Sequence, residues 1–384
     1  MLKNKKVILV FIDWYVPAYK AGGPIRSVYN IAKKFENEAN FYIVSSIFDL
    51  GEATPLNGVK ENTWTNLENS KVIYLFSEHQ NTKRYKEIIN EIKPDTIYLN
   101  SLFSKKFTLL PLSVIRKVDA KKSIKVILAP RGMLGKGALA IKPFKKKLFL
   151  IYAKLNGLIK NVVWHASTVL EEEEIKDAFG VKSKVFVAEN IAILPDNISI
   201  KTEKFYDEKL TVLFISRISL KKNLKFLAEA LSFCKNKNLI RIKIVGAIED
   251  NEYYNSCIGI LDNAKIEWEY LGAKPQNELK EVYLSSSIFC LPTLHENYGH
   301  VIIEALSFGL PILISGFTPW RNLQVKGVGF DLNLDINLFS EKIDNFVEMS
   351  NQEFSVFSKN SIKYSKTILA KESVVAYNRK LFID

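Results

Sequence analysis

Short apolar segments alternate along the chain with segments whose apolar residues recur at helical spacing. The helical spacing is clearest at Val28, Ile31, Ala32 and Phe35, which lie at i, i+3, i+4 and i+7. The short segments are typical of buried strands, and in the first half of the chain they are KKVILVFI, FYIVSS, KVIYLF, DTIYLNS, KVILAP, VVWHAS and KVFVAEN. Strands that alternate with helices predict a parallel sheet with helices on both faces.

The alternation starts again after a polar stretch, which predicts two domains. Residues 196–209 lack apolar runs and are interpreted as a linker between a first domain, 1–195, and a second domain, 210–362. We expect the last helix, 363–384, to pack back on the first domain. The predicted strands of the second domain are LTVLFIS, RIKIVG, KIEWEYLG, IFCLPT and PILIS. The expected fold is α/β, with two Rossmann-like, doubly wound domains that face a cleft and bind ligands at their strand C-termini.

Composition predicts a folded protein in a reducing compartment. The 384 residues are 47% hydrophobic, which is enough for two buried cores. The three cysteines, Cys234, Cys257 and Cys290, form no C-x-x-C pair and argue against a disulfide scaffold. The basic N-terminus lacks the apolar length of a signal peptide, and no run reaches the roughly 20 apolar residues of a membrane span. We therefore expect a cytoplasmic protein, either soluble or peripheral on the inner face of the cell membrane.

Positive charge is concentrated in the first half of the chain. Residues 1–200 carry 31 Lys and Arg against 19 Asp and Glu, and residues 101–150 carry 13 basic residues against one acid, Asp119. This concentration predicts an anionic ligand or surface. Nucleic acid is not the expected partner, because the sequence has no reader motif and no platform of aromatic and basic residues.

The stretch LHENYGHVIIEALSFGLPILIS, residues 294–315, places two carboxylates around a predicted helix start. Its two histidines are five residues apart rather than the four of a zinc helix, so a metal site is not expected. The pattern predicts a loop that contains Glu296, and then a helix that contains Glu304. The backbone N–H groups expected to point out of the helix start, where they favour an anion, are those of Gly299, His300 and Val301.

Two other turns between a strand and a helix contain candidate binding residues. Gly22 and Gly23 precede the first helix and would let the backbone approach an anionic ligand closely. Arg217 follows a strand and Lys222 precedes the next helix, so the pair could grip a diphosphate. An ordinary glycine turn and a solvated basic loop remain the alternatives. The carboxylates could accept hydrogen bonds from hydroxyl groups, while the cations and the helix start could bind a diphosphate. A nucleotide sugar has both kinds of group and fits this arrangement.

The spacings Arg217-x4-Lys222 and Glu296-x7-Glu304 resemble the donor half of the retaining glycosyltransferases of family four, which have the GT-B fold. In the first half of the chain the segments AGGPIRSVYNIA, APRGMLGKGALAIKPFKKKL, HASTVLEEEEI and AENIAIL agree with that family. SGFTPWRNLQVKGVGF is similar to members that build exopolysaccharide, capsule or lipopolysaccharide.

The resemblance implies a role for each candidate residue. Arg217 and Lys222 would bind the donor diphosphate and stabilise the leaving group, while Glu296 would hold sugar hydroxyls and Glu304 the ribose hydroxyls. Backbone contacts to the donor fall on Gly22, Gly23, Gly299, His300 and Val301. The GT-B type implies no cofactor and no catalytic metal, and the sequence contains no D-x-D triplet.

The chain departs from the family pattern in three places, one of which is the segment LAKESVV near the C-terminus. Many relatives have a His at the strand end where this chain has Pro130-Arg131-Gly132, and we expect Arg131 to meet a phosphate instead. Asn223 stands where Gly is more usual, directly after Lys222. His165, in VVWHAS, is interpreted as a structural or cleft-wall residue rather than a catalyst.

A basic and apolar segment, Lys142–Lys160, has two interpretations. Leu148, Ile151, Tyr152 and Leu155 share one face of a predicted helix. That face either lies on an anionic membrane, where a lipid-linked acceptor would be found, or packs in the core.

The sequence thus predicts a retaining, metal-independent glycosyltransferase that moves a sugar from a nucleotide donor to a glycan acceptor, expected to be lipid-linked, in cell-surface polysaccharide synthesis. Two alternatives remain open. One is a nucleotide-sugar epimerase or hydrolase of the same fold, and the other is an inactive module that binds a glycan or a nucleotide.

Overall fold

A computed structural model of the chain describes residues 5–119, 123–140, 143–193, 205–206 and 208–384. The chain forms two compact units. The first comprises residues 1–191 together with 372–384, and the second comprises residues 192–371. The predicted linker, 196–209, lies largely outside the described residues.

The first unit is built on an eight-stranded sheet. Its strands are β1 (Lys6–Ile12), β2 (Ala39–Ser46), β3 (Thr65–Leu67), β4 (Ser70–Leu75), β5 (Thr96–Asn100), β6 (Lys125–Ala129), β7 (Val163–Ala166) and β8 (Val185–Val187). Their order is β3-β4-β2-β1-β5-β6-β7-β8, and only β3 runs antiparallel to its neighbour. The helices between these strands are α1 (Gly23–Lys34), α2 (Thr82–Ile92), α3 (Leu110–Val118), α4 (Lys136–Ala140), α5 (Pro143–Leu155) and α6 (Val169–Phe179).

The second unit repeats the same architecture on a smaller scale. Its strands are β9 (Phe205–Tyr206), β10 (Lys209–Ile215), β11 (Ile240–Val245), β12 (Glu267–Tyr270), β13 (Ile288–Leu291), β14 (Ile312–Ser315) and β15 (Gly329–Leu332). Six of them form a parallel sheet in the order β12-β11-β10-β13-β14-β15, and β9 pairs antiparallel with β10. Its helices are α7 (Leu224–Phe233), α8 (Asn251–Asn263), α9 (Leu279–Leu284), α10 (His300–Ser307), α11 (Ile336–Glu348) and α12 (Asn351–Leu369).

Both sheets are doubly wound, as predicted. The chain builds outward from β1 through β2 to β4, and then returns to place β5 on the other side of β1. In the second unit it builds from β10 to β12 and returns to place β13 beside β10. Each reversal opens a crevice outside the carboxyl ends of two neighbouring strands, and such crevices are where open α/β sheets bind ligands.

Apolar residues on both faces of the central strands explain why these strands form the middle of each sheet. Val10 and Phe11 on β1, and Val212 and Leu213 on β10, are neighbours that point to opposite faces of the sheet, and all four have no exposed surface. Burying each such side chain stabilises the fold by about 1.5–3 kcal/mol. A strand buried on both faces reads as a continuous apolar run, which is the pattern that predicted it.

The C-terminal helical region differs from the single helix expected from the sequence. The structure has α12, which ends at Leu369, and a separate helix α13 (Glu372–Phe382). Helix α12 begins at a capping box, in which Ser350 and Glu353 each accept a hydrogen bond from the other's backbone N–H. Helix α13 belongs to the first unit, where Asn378 donates to the carbonyl of Glu189 at 2.8 Å.

Several elements were not predicted from the hydrophobic pattern. They are the helices α2, α3, α4 and α11 and the strands β3, β9 and β15. Strand β3 has three residues and none of them is buried, so it has no apolar signature. No helix among the described residues combines the length and the apolar character needed to cross a lipid bilayer.

The start of the loop after β11 depends on a glycine. Gly246 has φ 144°, and a Cβ atom there would lie 1.9 Å from the carbonyl oxygen of Ser216, which follows β10. We predict that Gly246→Ala lowers the free energy of unfolding by about 3 kcal/mol or more, through steric clash and backbone strain.

Gly259 in α8 is the matched control, because a Cβ atom there meets nothing within 4 Å. Gly259→Ala should leave stability unchanged or raise it by up to about 1 kcal/mol. Urea denaturation followed by circular dichroism would compare the two variants. Equal stability of both would show that the close approach at Gly246 is not required.

Candidate functional site

Two loops at the reversal point of the second sheet lie side by side. One runs from β10 to α7 and the other from β13 to α10, and β10 pairs with β13. The carbonyl oxygen of Lys221 accepts hydrogen bonds from the backbone N–H of Leu294 at 2.8 Å and from the hydroxyl of Thr293 at 3.0 Å. These hydrogen bonds hold the two loops together.

Lys222 and Glu296 meet across these loops. The Lys222 ammonium donates to the Glu296 carboxylate at 2.5 Å, and both side chains are largely buried, with 11% and 15% of their surface exposed. Burial alone would raise the pKa of Glu296. The charge and hydrogen bond of Lys222, with the charge of Lys221 and the N–H of Asn297, outweigh burial and hold the pKa of Glu296 below its usual range.

Both helices at this edge begin at a residue in the left-handed region. Asn223 precedes α7 with φ 61°, and Gly299 precedes α10 with φ 79°. Asn tolerates this conformation better than other residues with a side chain, which explains how it replaces the more usual Gly. A Cβ atom at Gly299 would lie 2.8 Å from the Cδ1 atom of Ile302 and 3.1 Å from the Cγ atom of Glu296. Glycine at this position therefore makes room for the carboxylate side chain.

A third loop, after β14, supports the loop that contains Glu296. The backbone N–H of Glu296 donates to the carbonyl of Phe317 at 2.9 Å. The indole N–H of Trp320 donates to the carbonyl of Tyr298 at 2.6 Å. The position of Glu296 is thus set from both neighbouring strands.

Arg217 is not part of the Lys222–Glu296 contact. Its guanidinium forms an ion pair with Glu249, which follows the neighbouring strand β11, and both side chains are about one-third exposed. The backbone N–H of Glu249 donates to the carbonyl of Ile218 at 3.1 Å, which joins the two strand ends. Sequence reasoning missed Glu249, although it is the first acid after β11.

Glu304 is buried inside α10, with 4% of its surface exposed. The hydroxyl of Tyr283 donates to its carboxylate at 3.0 Å. The Tyr283 ring is stacked on Phe308, with centroids 4.9 Å apart and an angle of 9° between the planes. A buried carboxylate requires such hydrogen bonds, and Tyr283 on α9 was not identified from the sequence.

The first residues of α10 differ in exposure. His300 is buried and its ring lies edge-on against Tyr298, with centroids 5.0 Å apart, while Val301 is partly exposed. Helix α10 has eight residues, and its first backbone N–H groups lie beside the loop that holds Glu296.

In the first unit, Gly22 and Gly23 form the start of α1. Gly22 has φ 68° and ψ −117°, a conformation open to glycine, and a Cβ atom on either residue would meet nothing within 4 Å. The preceding loop is braced by the buried Asp49, which accepts from the N–H groups of Tyr19 and Lys20 at 3.0 and 3.3 Å. The space beside the two glycines is open.

Arg131 is the centre of a hydrogen-bond network at the carboxyl edge of the first sheet. Its guanidinium donates to Asn100 at 3.2 Å, to Asn190 at 2.5 Å and to the hydroxyl of Tyr98 at 2.5 Å.

Burial, reinforced by the charge of Arg131, lowers the pKa of His165 to about 3. The neutral ring of His165 accepts from Tyr98 at 3.0 Å through Nδ1, and its Nε2–H donates to a backbone carbonyl. His165 is therefore structural, as expected.

The residues of the predicted donor site do not form a cluster of metal ligands. Within the described ranges, the His and carboxylate atoms close enough to share an ion are those of Glu61, Glu78 and His79, on the surface of the first unit.

Comparison with known proteins relates the second unit to a known sequence family. Residues 196–364 match the family described as "Glycosyl transferases group 1". An uncharacterized glycosyltransferase of Haemophilus influenzae is 30% identical over 155 residues, which cover 40% of this chain and 42% of that protein. A galactosyltransferase of Escherichia coli, UDP-Gal:alpha-D-GlcNAc-diphosphoundecaprenol alpha-1,3-galactosyltransferase, is 25% identical over 148 residues, 38% of each chain. The chain thus spans less than half the length of these two relatives.

The fold of the whole chain matches a solved structure. Sucrose-phosphate synthase from Thermosynechococcus elongatus superposes with a TM-score of 0.75 at 12% identity, covering 99% of this chain and 98% of the synthase. The chain therefore has the GT-B fold, as predicted. The family match covers the second unit, and both relatives are themselves described as glycosyltransferases.

The Lys222–Glu296 pair makes a prediction about pH. Because the pKa of Glu296 is depressed in the folded protein, its stabilising contribution is complete above its ordinary pKa near 4.5 and is lost as the pH falls through the lower folded value. Lys222→Met leaves the carboxylate buried without this cation. We predict a loss of about 3 kcal/mol at pH 7 that shrinks as the pH falls to about 4, because burial without Lys222 raises the pKa of Glu296 and the carboxylate takes up a proton.

Urea denaturation at both pH values would measure this loss. Lys225→Met is the control, because Lys225 is exposed on the first turn of α7, and it should change stability by less than about 0.5 kcal/mol. A Lys222→Met loss that is equal at both pH values would contradict the assigned pairing.

Proposed function

We propose that the protein is a retaining, metal-independent glycosyltransferase that transfers a sugar from a nucleotide diphosphate donor to a glycan acceptor in cell-surface polysaccharide synthesis. The observation that carries this proposal is the buried Lys222–Glu296 pair at the reversal point of the second sheet. In this pair a cation lies beside a carboxylate that can accept hydrogen bonds from hydroxyl groups, at the edge where this architecture binds ligands.

The arrangement suits the departure of a nucleoside diphosphate. Cleavage of the donor leaves negative charge on the diphosphate, and preorganised cations and backbone N–H groups stabilise such charge in the transition state. In this proposal Lys222 and Arg217 bind the diphosphate, aided by the backbone at the start of α10. For Arg217 this requires it to exchange Glu249 for phosphate, which its partial exposure permits.

The two carboxylates are assigned to the hydroxyl groups of the donor. Glu296 would accept from sugar hydroxyls, and its low pKa keeps it ionised, hence an acceptor, at neutral pH. Glu304 would accept from the ribose hydroxyls, with Tyr283 fixing its carboxylate. The assignment of Gly22, Gly23 and Arg131 to substrate phosphates remains a prediction.

The acceptor is proposed to be a glycan carried on a lipid diphosphate. Support comes from the Escherichia coli relative, whose name gives UDP-Gal as its donor and a sugar on diphosphoundecaprenol as its acceptor. The epimerase or hydrolase alternative would consume donor at full rate without any acceptor, and an inactive binding module would bind donor without releasing nucleoside diphosphate.

Donor binding can be measured through thermal stability. We expect one of the UDP-, GDP- or ADP-sugars, at saturating concentration and with EDTA present, to raise the unfolding midpoint, because ligands that bind only the folded state stabilise it. Glu304→Ala should abolish the shift. Tyr283→Phe keeps the ring on Phe308 but removes the hydroxyl, so it should weaken nucleotide affinity about tenfold.

The thermal-shift panel also distinguishes binding at the assigned donor site from binding elsewhere and from no binding. A shift that Glu304→Ala leaves intact would show that the nucleotide binds elsewhere. The absence of any shift, with acceptor also present, would remove the donor site as assigned.

Turnover provides the second test. With a donor found in the panel and N-acetylglucosamine-diphosphoundecaprenol as the first acceptor, release of nucleoside diphosphate should require the acceptor and should continue in EDTA. Lys222→Ala should lower kcat/KM by about 100-fold or more, because it removes stabilisation of the leaving group. The product should keep the anomeric configuration of the donor by NMR.

Lys225→Ala serves as the matched control and should retain the activity of the natural protein. Inversion at the anomeric carbon, loss of activity in EDTA that added metal restores, or equal turnover without acceptor would each contradict the corresponding part of the proposal.

A further inference from the structure

Helix α5 presents a row of apolar side chains to solvent. Five large apolar residues of this helix are between 45% and 82% exposed: Phe144, Leu148, Ile151, Tyr152 and Leu155. At 3.6 residues per turn these positions fall within an arc of about 100°. Soluble proteins rarely leave a contiguous apolar face of this kind uncovered. We name these five residues the α5 apolar face.

The opposite side of the same helix attaches it to the first unit. Ala153 is fully buried, and Phe149 packs edge-on against Phe103 with centroids 5.1 Å apart. Leu150 is partly buried against the same core. The core interpretation of this segment therefore holds for the inner side, while the residues of the α5 apolar face remain 45% to 82% exposed.

Three exposed lysines flank the α5 apolar face. By helical geometry Lys145 borders it on one side, while Lys147 and Lys154 border it on the other. In the part of the chain that the structure describes, none of the three forms an ion pair with a carboxylate. Glu172, on the neighbouring helix α6, pairs with Lys176 of its own helix at 2.7 Å.

This combination selects among the partners that could cover the face. Lys154 lies over the ring of Phe179, 6.0 Å from its centroid, but among the described residues none of the three lysines has a carboxylate partner. A second copy of the chain or another apolar protein surface would bury the apolar residues but bring these charges into a drier environment, which is costly. An anionic bilayer accommodates both, because the apolar side chains enter the boundary of the acyl chains while the lysines reach lipid phosphates. Each lysine near an anionic leaflet strengthens binding about fivefold.

We propose that the α5 apolar face, with Lys145, Lys147 and Lys154, is a docking surface for an anionic lipid bilayer. The helix lies in the plane of the interface rather than across it. Lys142 lies outside the described residues and is not needed for the argument. The proposal does not depend on the sugar transfer proposed above, and its test uses neither a nucleotide nor an acceptor.

A fluorescent label on the face can report insertion directly. The native thiols of Cys234, Cys257 and Cys290 are buried, so Leu155→Cys can be labelled selectively with a polarity-sensitive dye. We expect a blue shift when vesicles of phosphatidylcholine with about one-third phosphatidylglycerol are added, because the dye enters the acyl boundary. Val325→Cys, at a position 89% exposed in the second unit, is the control and should show no shift.

Vesicle sedimentation of the full chain then measures affinity. Ile151→Asp with Leu155→Asp should weaken binding by about tenfold or more, because two apolar contacts are replaced by charges that an anionic surface repels. Gln at all three lysines should weaken binding about 100-fold at low salt and remove the preference for anionic over pure phosphatidylcholine vesicles. Val325→Asp should bind like the natural sequence. All these side chains are exposed, so unchanged unfolding midpoints would confirm that the variants are folded.

Three results would overturn the proposal. The first is that the natural chain does not bind anionic vesicles, or binds them no better than phosphatidylcholine. The second is that Ile151→Asp with Leu155→Asp binds as tightly as the natural chain. The third is a dimer in analytical ultracentrifugation that Leu155→Asp dissociates, because a second copy would then be the occupant of the face.

Discussion

Parallel pairing of neighbouring strands is the constraint from which the rest of this molecule follows. A parallel connection must cross the face of the sheet, so all the carboxyl ends of the parallel strands meet at one edge. In the second unit, strands are added on one side of β10 as far as β12, and then on the other side, starting with β13. The loops after β10 and β13 therefore have no crossover helix lying between them. Lys222 and Glu296 are distant in sequence and meet for this reason. The buried ion pair between them is therefore a consequence of the sheet topology, whatever its chemical role.

Most of the strands, and the helix start at Gly299, could be predicted because local pattern determines them. Continuous apolar runs identified β1 and β10, and the left-handed Gly299 marked the start of α10. Element β3 could not be found in this way, because its three residues bury no side chain. The break between α12 and α13 was also missed, because α13 is bound to the first unit by Asn378 and neighbouring contacts, which the local sequence does not record.

The candidate site was predictable in its residue types and not in its pairings. The spacing in sequence indicated Arg217, Lys222, Glu296 and Glu304, yet gave no sign that Arg217 would bind Glu249 or that Tyr283 would support Glu304. Helix α5 is a second case in which the local sequence does not determine the tertiary contacts. Both of its faces are apolar, so periodicity alone could not decide which face the core would cover; that depended on Phe103, which lies in a different part of the chain.

The return of α13 to the first unit has a consequence for the order in which the protein can form during translation. Phe382 packs against the rings of Tyr98 and His165, with centroids 4.9 and 5.8 Å apart, and so covers part of the network around Arg131. These contacts cannot form until the ribosome has also synthesised the whole of the second unit. The first unit therefore begins its synthesis first and is completed last. In the nascent chain, the aromatic surface around Tyr98 stays exposed until α13 has been synthesised.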